Sequence, residues 1–172
     1  ILFLGALQTR KNVIRLVEAF ERTPPGWRLV LAGSRGYGAE SIQARVDSSP
    51  RRDSIELPGY ISAAERAALY ARASIFAFPS LDEGFGMPVL EAMAAGVTVL
   101  TSRRSALPEV AGDAALLVEA EDSEAIAAGL RRLMEDDALR DRLRGAGLLR
   151  AADFTWEAAV GRTWSVYREL AG

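Results

Sequence analysis

Apolar residues follow two alternating patterns along this chain. Short solid runs, flanked by Gly, Pro or Ser, read as strands buried on both faces. They predict strands at Ile1–Gly5, Trp27–Ala32, Ser54–Leu57, Ser74–Phe78, Val97–Thr101 and Ala114–Val118. Between them, apolar positions recur every three or four residues, the spacing of one helix face. Val13, Leu16, Val17 and Phe20 mark a helix over Asn12–Arg22, which Thr23-Pro-Pro-Gly26 breaks. Other helices are predicted over Ala39–Ser48, Ala63–Ala71, Met87–Ala95 and Ser105–Ala111. Ser62-Ala-Ala-Glu65 has the spacing of a capping box. Asp122 or Ser123 caps a helix carrying Ile126, Leu130, Leu133 and Met134. Another helix covers Asp137–Ala151, and Thr155 caps a last one carrying Trp156, Val160, Trp164 and Tyr167. These late stripes read as core or domain-packing faces.

Six strands, each joined to the next by a helix or crossover, imply an α/β fold: a doubly wound, Rossmann-like parallel sheet covered on both faces. The common order is 3-2-1-4-5-6, and a ligand then lies outside the carboxyl ends of strands one and four, where the order reverses. The loops there are Ala6–Lys11 and Ser80–Gly86. Two loops distant in sequence are thereby expected to meet at one site.

Composition narrows the chemistry. The length of 172 residues suits one domain, here residues 1–172, with a sizeable core. A net charge of −2 argues against electrostatic capture of nucleic acid. There is no cysteine and no histidine, so thiolate metal sites and the commonest general base are missing. No apolar stretch approaches the ~20 residues that span a bilayer, and no signal peptide is visible. A cytoplasmic location is the default expectation. The arginines between 131 and 150 alternate with acids and read as a solvated helix surface. Peripheral contact with the inner face of a membrane is the lesser alternative for them. The chain opens at Ile1 inside a strand, which reads as a piece of a longer protein.

The chemistry concentrates in Pro79–Gly96, Pro-Ser-Leu-Asp-Glu-Gly-Phe-Gly-Met-Pro-Val-Leu-Glu-Ala-Met-Ala-Ala-Gly. Gly84 and Gly86 allow a tight turn close to a ligand. Pro88 suits the first turn of a helix, where its missing N–H costs nothing. A strand therefore feeds a loop and the loop feeds a helix N-terminus, a ready place for a phosphate. Glu83 stands at the loop and Glu91 about one turn into the helix. Gly5-Ala-Leu-Gln-Thr-Arg-Lys-Asn12 puts two cations, Arg10 and Lys11, at the other strand-to-helix junction, where they suit a diphosphate.

The run Glu83-Gly-Phe-Gly-x-Pro-x-x-Glu91-Ala resembles the donor-binding motif of retaining glycosyltransferases of the GT-B fold, specifically glycosyltransferase family 4, the group 1 transferases. The resemblance extends from Gly5 to Tyr167. It implies that this chain is the C-terminal, nucleotide-sugar-binding half of a two-domain enzyme. That enzyme would move a hexose from a GDP- or UDP-linked donor to a saccharide or lipid-linked acceptor. By the same resemblance Glu83 stabilises charge at the anomeric carbon. Gly84, Phe85, Gly86, Met87 and Pro88 form the donor-binding turn with its backbone amides, and Glu91 holds ribose hydroxyls. Lys11 matches the family lysine. Ala6 stands where an arginine is usual, and Arg10 is the substitute. The Arg-Lys-Asn run is similar to a bacterial subgroup whose members are taken to be mannosyltransferases. Tyr60 and Ile61 carry over as base-binding positions.

The Gly33–Gly38 loop reads as turn chemistry, and Glu109 as a brace for its short helix. No cofactor and no metal is expected: cations and amides already neutralise the phosphates. The last helix, about residues 154–170, is expected to pack on the missing N-terminal domain of the same chain. Two alternatives stand beside this reading. One is another GT-B enzyme, a nucleotide-sugar epimerase or a phosphorylase; Lys11 is the sole lysine, which leaves pyridoxal phosphate no separate anchor. The other is a non-catalytic sugar-nucleotide-binding or scaffold domain.

Overall fold

All six expected strands form, and all pair in parallel in the order β3-β2-β1-β4-β5-β6. The computed structural model describes residues 1–171. The strands are β1 Leu2–Leu4, β2 Leu29–Ala32, β3 Ile55–Gly59, β4 Ile75–Phe78, β5 Thr98–Ser102 and β6 Ala115–Val118. The helices are α1 Val13–Glu21, α2 Ala39–Asp47, α3 Ala63–Arg72, α4 Met87–Ala94, α5 Leu107–Ala111, α6 Ser123–Glu135, α7 Asp137–Ala152 and α8 Trp156–Ala171. In one layer α1 packs against α2 and α6; in the other α4 packs against α5 and α7. Between the layers the solid strand runs are buried, with Phe3, Phe76 and Phe78 stacked at centroid distances of 5.7 Å.

The two central strands touch only briefly. β1 and β4 share one register pair, Leu2 with Phe76, whereas β4–β5 and β5–β6 each share four. The strand order reverses between them, where a ligand crevice is expected outside the carboxyl ends.

Three local departures from the expected boundaries have physical causes. Thr9–Lys11 forms a single 3-10 turn and Asn12 sits in the left-handed region at φ 60°, so α1 starts at Val13 instead of Asn12. Asn is one of the few side chains that tolerate this conformation. The third strand was expected to close at Pro58, yet β3 runs through Pro58 to Gly59. β3 is an edge strand, where a proline leaves no ladder partner unsatisfied. The short helix expected from Ser105 starts at Leu107, because Ser105 itself adopts φ 56°.

The helix signals behave as their chemistry predicts. Ser62 and Glu65 form the reciprocal capping box, the Glu65 N–H donating to Ser62 Oγ at 3.3 Å and the Ser62 N–H to Glu65 Oε2 at 2.7 Å. The Ser62 N–H and the Ser62 hydroxyl, both donating to the Glu65 carboxylate, hold it below its usual range. Asp122 caps α6, and the Thr155 hydroxyl accepts from the Ala158 N–H at the head of α8. The α6 stripe Ile126, Leu130 and Leu133 is fully buried, and Gly129 lets α6 press onto β5 and β6. Leu143 of α7 is buried too, whereas Trp156, Val160, Trp164 and Tyr167 of α8 are all exposed. No helix among the described residues is long and apolar enough to cross a membrane.

Candidate functional site

The crevice between β1 and β4 holds a buried ion pair. Lys11 Nζ donates to Glu83 Oε1, and both residues are under 10% exposed. Ser80 lies at the end of β4 and is fully buried; its hydroxyl donates to the same Oε1 at 2.7 Å. Glu83 Oε2 has a looser partner, Arg10 at 3.4 Å, whose side chain is half exposed. One carboxylate oxygen is thus held by buried donors, and the other faces a half-exposed cation at the surface. Lys11 Nζ also lies 4.8 Å from the Phe78 ring centroid, within cation–π range. An ammonium has three donors, so pairing with Glu83 does not exhaust Lys11.

Hydrogen bonds to backbone carbonyls hold the two loops in this register. The Leu81 N–H donates to Arg10 O at 2.8 Å, and Arg10 Nη1 donates to Asp82 O at 2.8 Å. Asn12 is the hinge pin: its amide donates to Pro79 O at 3.0 Å and to Ala120 O at 2.6 Å, which ties β1, β4 and the segment after β6 together. From the β5–α5 loop, Ser105 Oγ accepts the Glu83 N–H at 3.1 Å and lies 2.7 Å from Glu83 O and 2.8 Å from Asp82 Oδ1. A serine held at positive φ therefore grips the Glu83 peptide on both sides.

The turn into α4 follows directly. Gly86 caps the helix at φ 105°, and a Cβ there would lie 2.7 Å from Leu107 Cδ2, so glycine is needed for both conformation and space. Gly84 carries neither constraint. Pro88 occupies the first turn, as expected. No acceptor among the described residues takes the N–H groups of Gly84, Phe85, Gly86 or Met87. These amides begin one residue after Glu83 and stand at the positive end of α4. Phe85 packs edge-on against Phe154 at 5.8 Å, and with Met87 it walls a groove of about 210 Å³ facing α8.

Glu91 sits one turn further along α4 and turns to α3. Arg66 Nη1 donates to its Oε1 at 3.1 Å and the Tyr70 hydroxyl to its Oε2 at 3.1 Å. Burial and the adjacent Glu91 charge push the Tyr70 phenol well above its usual range, so it stays a neutral donor.

The Gly33–Gly38 loop does more than turn. It zips onto the cationic loop through Leu7 N–H to Ser34 O (2.8 Å), Gly36 N–H to Leu7 O (3.1 Å) and Thr9 N–H to Tyr37 O (3.0 Å). Cβ atoms at Gly36 and Gly38 would collide with Gln8 and Thr9. Its glycines back the Arg10–Lys11 turn from behind. Tyr60 stands exposed and Ile61 partly buried past the end of β3, two strands from β1. Neither hydrogen-bonds to the Lys11–Glu83 cluster. Glu109 braces through its backbone, its carbonyl accepting from Arg150 at 2.7 Å. Among the described residues no group of three or more acidic side chains is clustered as a metal site.

Arg10, Lys11, Glu83 and the Gly84–Met87 amides thus converge, with Glu91 adjacent on α4. Sequence reasoning missed Ser80, Ser105, Asn12, Arg66 and Tyr70. Ser80 and Asn12 lie inside the quoted runs, and small polar residues beside a strand end are the signal that was there to use. Arg66 and Tyr70 lie on one turn of α3 and left no local signal.

Comparison with known proteins agrees with this architecture. Residues 1–149 match the family model described as Glycosyl transferases group 1. The O-antigen chain mannosyltransferase B of Escherichia coli is 36% identical over 98% of this chain, which spans 45% of that protein. Among solved structures, sucrose-phosphate synthase from Thermosynechococcus elongatus superposes with a TM-score of 0.87 at 30% identity, over 98% of this chain and 44% of that one. The C-terminal domain of the group 1 family protein LpcC from Francisella tularensis superposes with a TM-score of 0.79 at 27% identity, over 88% of this chain and 83% of that domain. The chain spans less than half of the full-length proteins it matches, and it belongs to the group 1 glycosyl transferases.

Proposed function

We propose that residues 1–172 are the C-terminal, donor-binding domain of a retaining glycosyltransferase of family 4. The whole enzyme moves a hexose, mannose first among the candidates, from a GDP- or UDP-linked donor to a saccharide or lipid-linked acceptor. The likeness to a mannosyltransferase and to a solved C-terminal domain supports this reading. The observation that carries it is one crevice holding a buried Lys11–Glu83 pair beside four uncommitted backbone N–H groups.

The roles follow from charge. As the bond between the anomeric carbon and the diphosphate breaks, negative charge grows on the phosphates and positive charge on the sugar. Lys11, Arg10 and the Phe85–Met87 amides stabilise the first, preorganised in a partly water-excluded crevice. Glu83, paired with Lys11 and Arg10, stabilises the second. Glu91 takes the ribose hydroxyls, and Tyr60 and Ile61 flank the base. Arg10 works in place of the arginine absent at Ala6. The acceptor and its base belong to the N-terminal half, on which α8 packs with Trp156, Trp164 and Tyr167. The enzyme works in the cytoplasm, reaching a lipid-linked acceptor at the membrane's inner face, and needs no metal.

Calorimetric titration of GDP, UDP and ADP into the chain tests this. One of the three is expected to bind, and Lys11→Ala to weaken it at least ten-fold, in line with the loss of a charge-assisted phosphate contact. Binding of none by the folded chain would favour the scaffold reading. Measurable sugar transfer by this chain alone would refute the division of labour between two halves.

A further inference from the structure

Both carboxylate oxygens of Glu91 are already engaged, each by a different side chain of α3, before any nucleotide is present. Arg66 and Tyr70 sit one helical turn apart and approach the carboxylate from the same side. The two are unlike in burial. Tyr70 is buried at 5% exposure, its ring 5.8 Å from Phe76, so its hydroxyl is fixed by the core. Arg66 lies at the rim with 44% of its side chain exposed. The Tyr70 hydroxyl has one proton and two acceptors in reach, Glu91 Oε2 at 3.1 Å and Pro88 O at 3.3 Å; the nearer and charged one takes it. The rest of the groove around Glu91, about 420 Å³, is walled by alanines of α3 and α4. No other polar side chain of that groove competes for the carboxylate.

A free glutamate has three rotatable bonds, and ordering it on ligand binding costs affinity. A vicinal diol asks for more than ordering: it needs both oxygens presented in one plane at a set angle. A donor on each oxygen, one rooted in the core and one at the rim, sets that plane. Each oxygen keeps a further lone-pair direction for a hydroxyl.

We infer that Tyr70 and Arg66 are positioning residues that preset the Glu91 carboxylate for the 2′,3′-diol of the donor's ribose, and so set a preference for ribonucleotides over deoxyribonucleotides. The inference rests on the reading of Glu91 as the ribose-binding group, and adds where its selectivity originates.

The test uses the chain as it stands, with GDP and UDP and their 2′,3′-dideoxy analogues as probes, titrated calorimetrically into wild type, Tyr70→Phe, Arg66→Gln and Glu91→Gln. Thermal unfolding of each variant is measured alongside. Wild type is expected to favour the ribonucleotide. Glu91→Gln removes that preference. Tyr70→Phe lowers ribonucleotide affinity about five-fold, the loss expected for one side chain no longer held in place, and leaves the dideoxy affinity unchanged. Arg66→Gln acts in the same direction and more weakly. If Tyr70→Phe weakens both analogues equally, Tyr70 is merely structural and the inference falls. If both α3 variants keep the wild-type ratio while Glu91→Gln loses it, the inference falls and the ribose reading stands. If wild type shows no ratio, or Glu91→Gln keeps it, the ribose reading itself is wrong and takes the inference with it. Absence of binding by any probe would remove both.

Discussion

The β1–β4 crevice and helix α8 are opposite solutions to the problem of an uncovered surface. In the crevice the polar side chains find partners inside the chain, Lys11 with Glu83, Ser80 with Glu83, Asn12 with two carbonyls and Ser105 with the Glu83 peptide, and only the Gly84–Met87 amides stay open. On α8 every large apolar side chain is exposed, Trp156 at 85% and Trp164 and Tyr167 at 62%. The side chains of the crevice are therefore paired within this chain, and the apolar face of α8 is left bare. The difference teaches that the polar cluster in the buried crevice is part of this domain's own packing, whereas the aromatic stripe lies largely outside it.

Three perturbations would break or sharpen that contrast. The largest effect is expected from Lys11→Met, which leaves Glu83 buried without its main counter-charge. Urea unfolding should lose about 3–5 kcal/mol, and adding Glu83→Gln should recover much of it. An unchanged midpoint would mean that water already screens the pair. Next comes Ser105, where two replacements separate grip from strain. Ser105→Ala keeps a Cβ at positive φ and drops the hydroxyl, whereas Ser105→Gly drops both. The glycine variant should be more stable than the alanine variant by about 1 kcal/mol. Equal stabilities would show that the loop relaxes out of the left-handed region. The smallest effect is expected from Trp164→Ser, within about 0.5 kcal/mol of wild type in the same unfolding assay. A large loss there would reveal that the stripe is covered after all.

The same contrast explains what could be read in advance. Strand order followed from solid apolar runs separated by helical stripes, because parallel crossovers leave few other topologies for such a string. The meeting of Arg10–Lys11 with Glu83 followed from that order, without any contact being visible in the chain. Pro88 and the Ser62–Glu65 box were legible because each acts within four residues of itself. The unread parts are those whose partner is remote. Ser105 reaches across 22 residues to Glu83, Asn12 across 108 to Ala120, and Tyr70 across 21 to Glu91. Nothing local names the distant partner of such a serine, asparagine or tyrosine. Periodicity reported that Ile126–Leu133 and Trp156–Tyr167 were both amphipathic stripes. It carries no information about what lies opposite, so it gave no means of telling the buried stripe from the bare one.

One consequence of the single Leu2–Phe76 register pair concerns how the sheet yields. A sheet ordinarily frays at its rims, but this one has its weakest ladder down the midline, so its two three-stranded halves meet along a seam. Any molecule that grasps Lys11 on one bank and the α4 amides on the other acts as a staple across that seam, and occupancy should then be written as slowed amide exchange in β1 and β4 rather than in the outer strands.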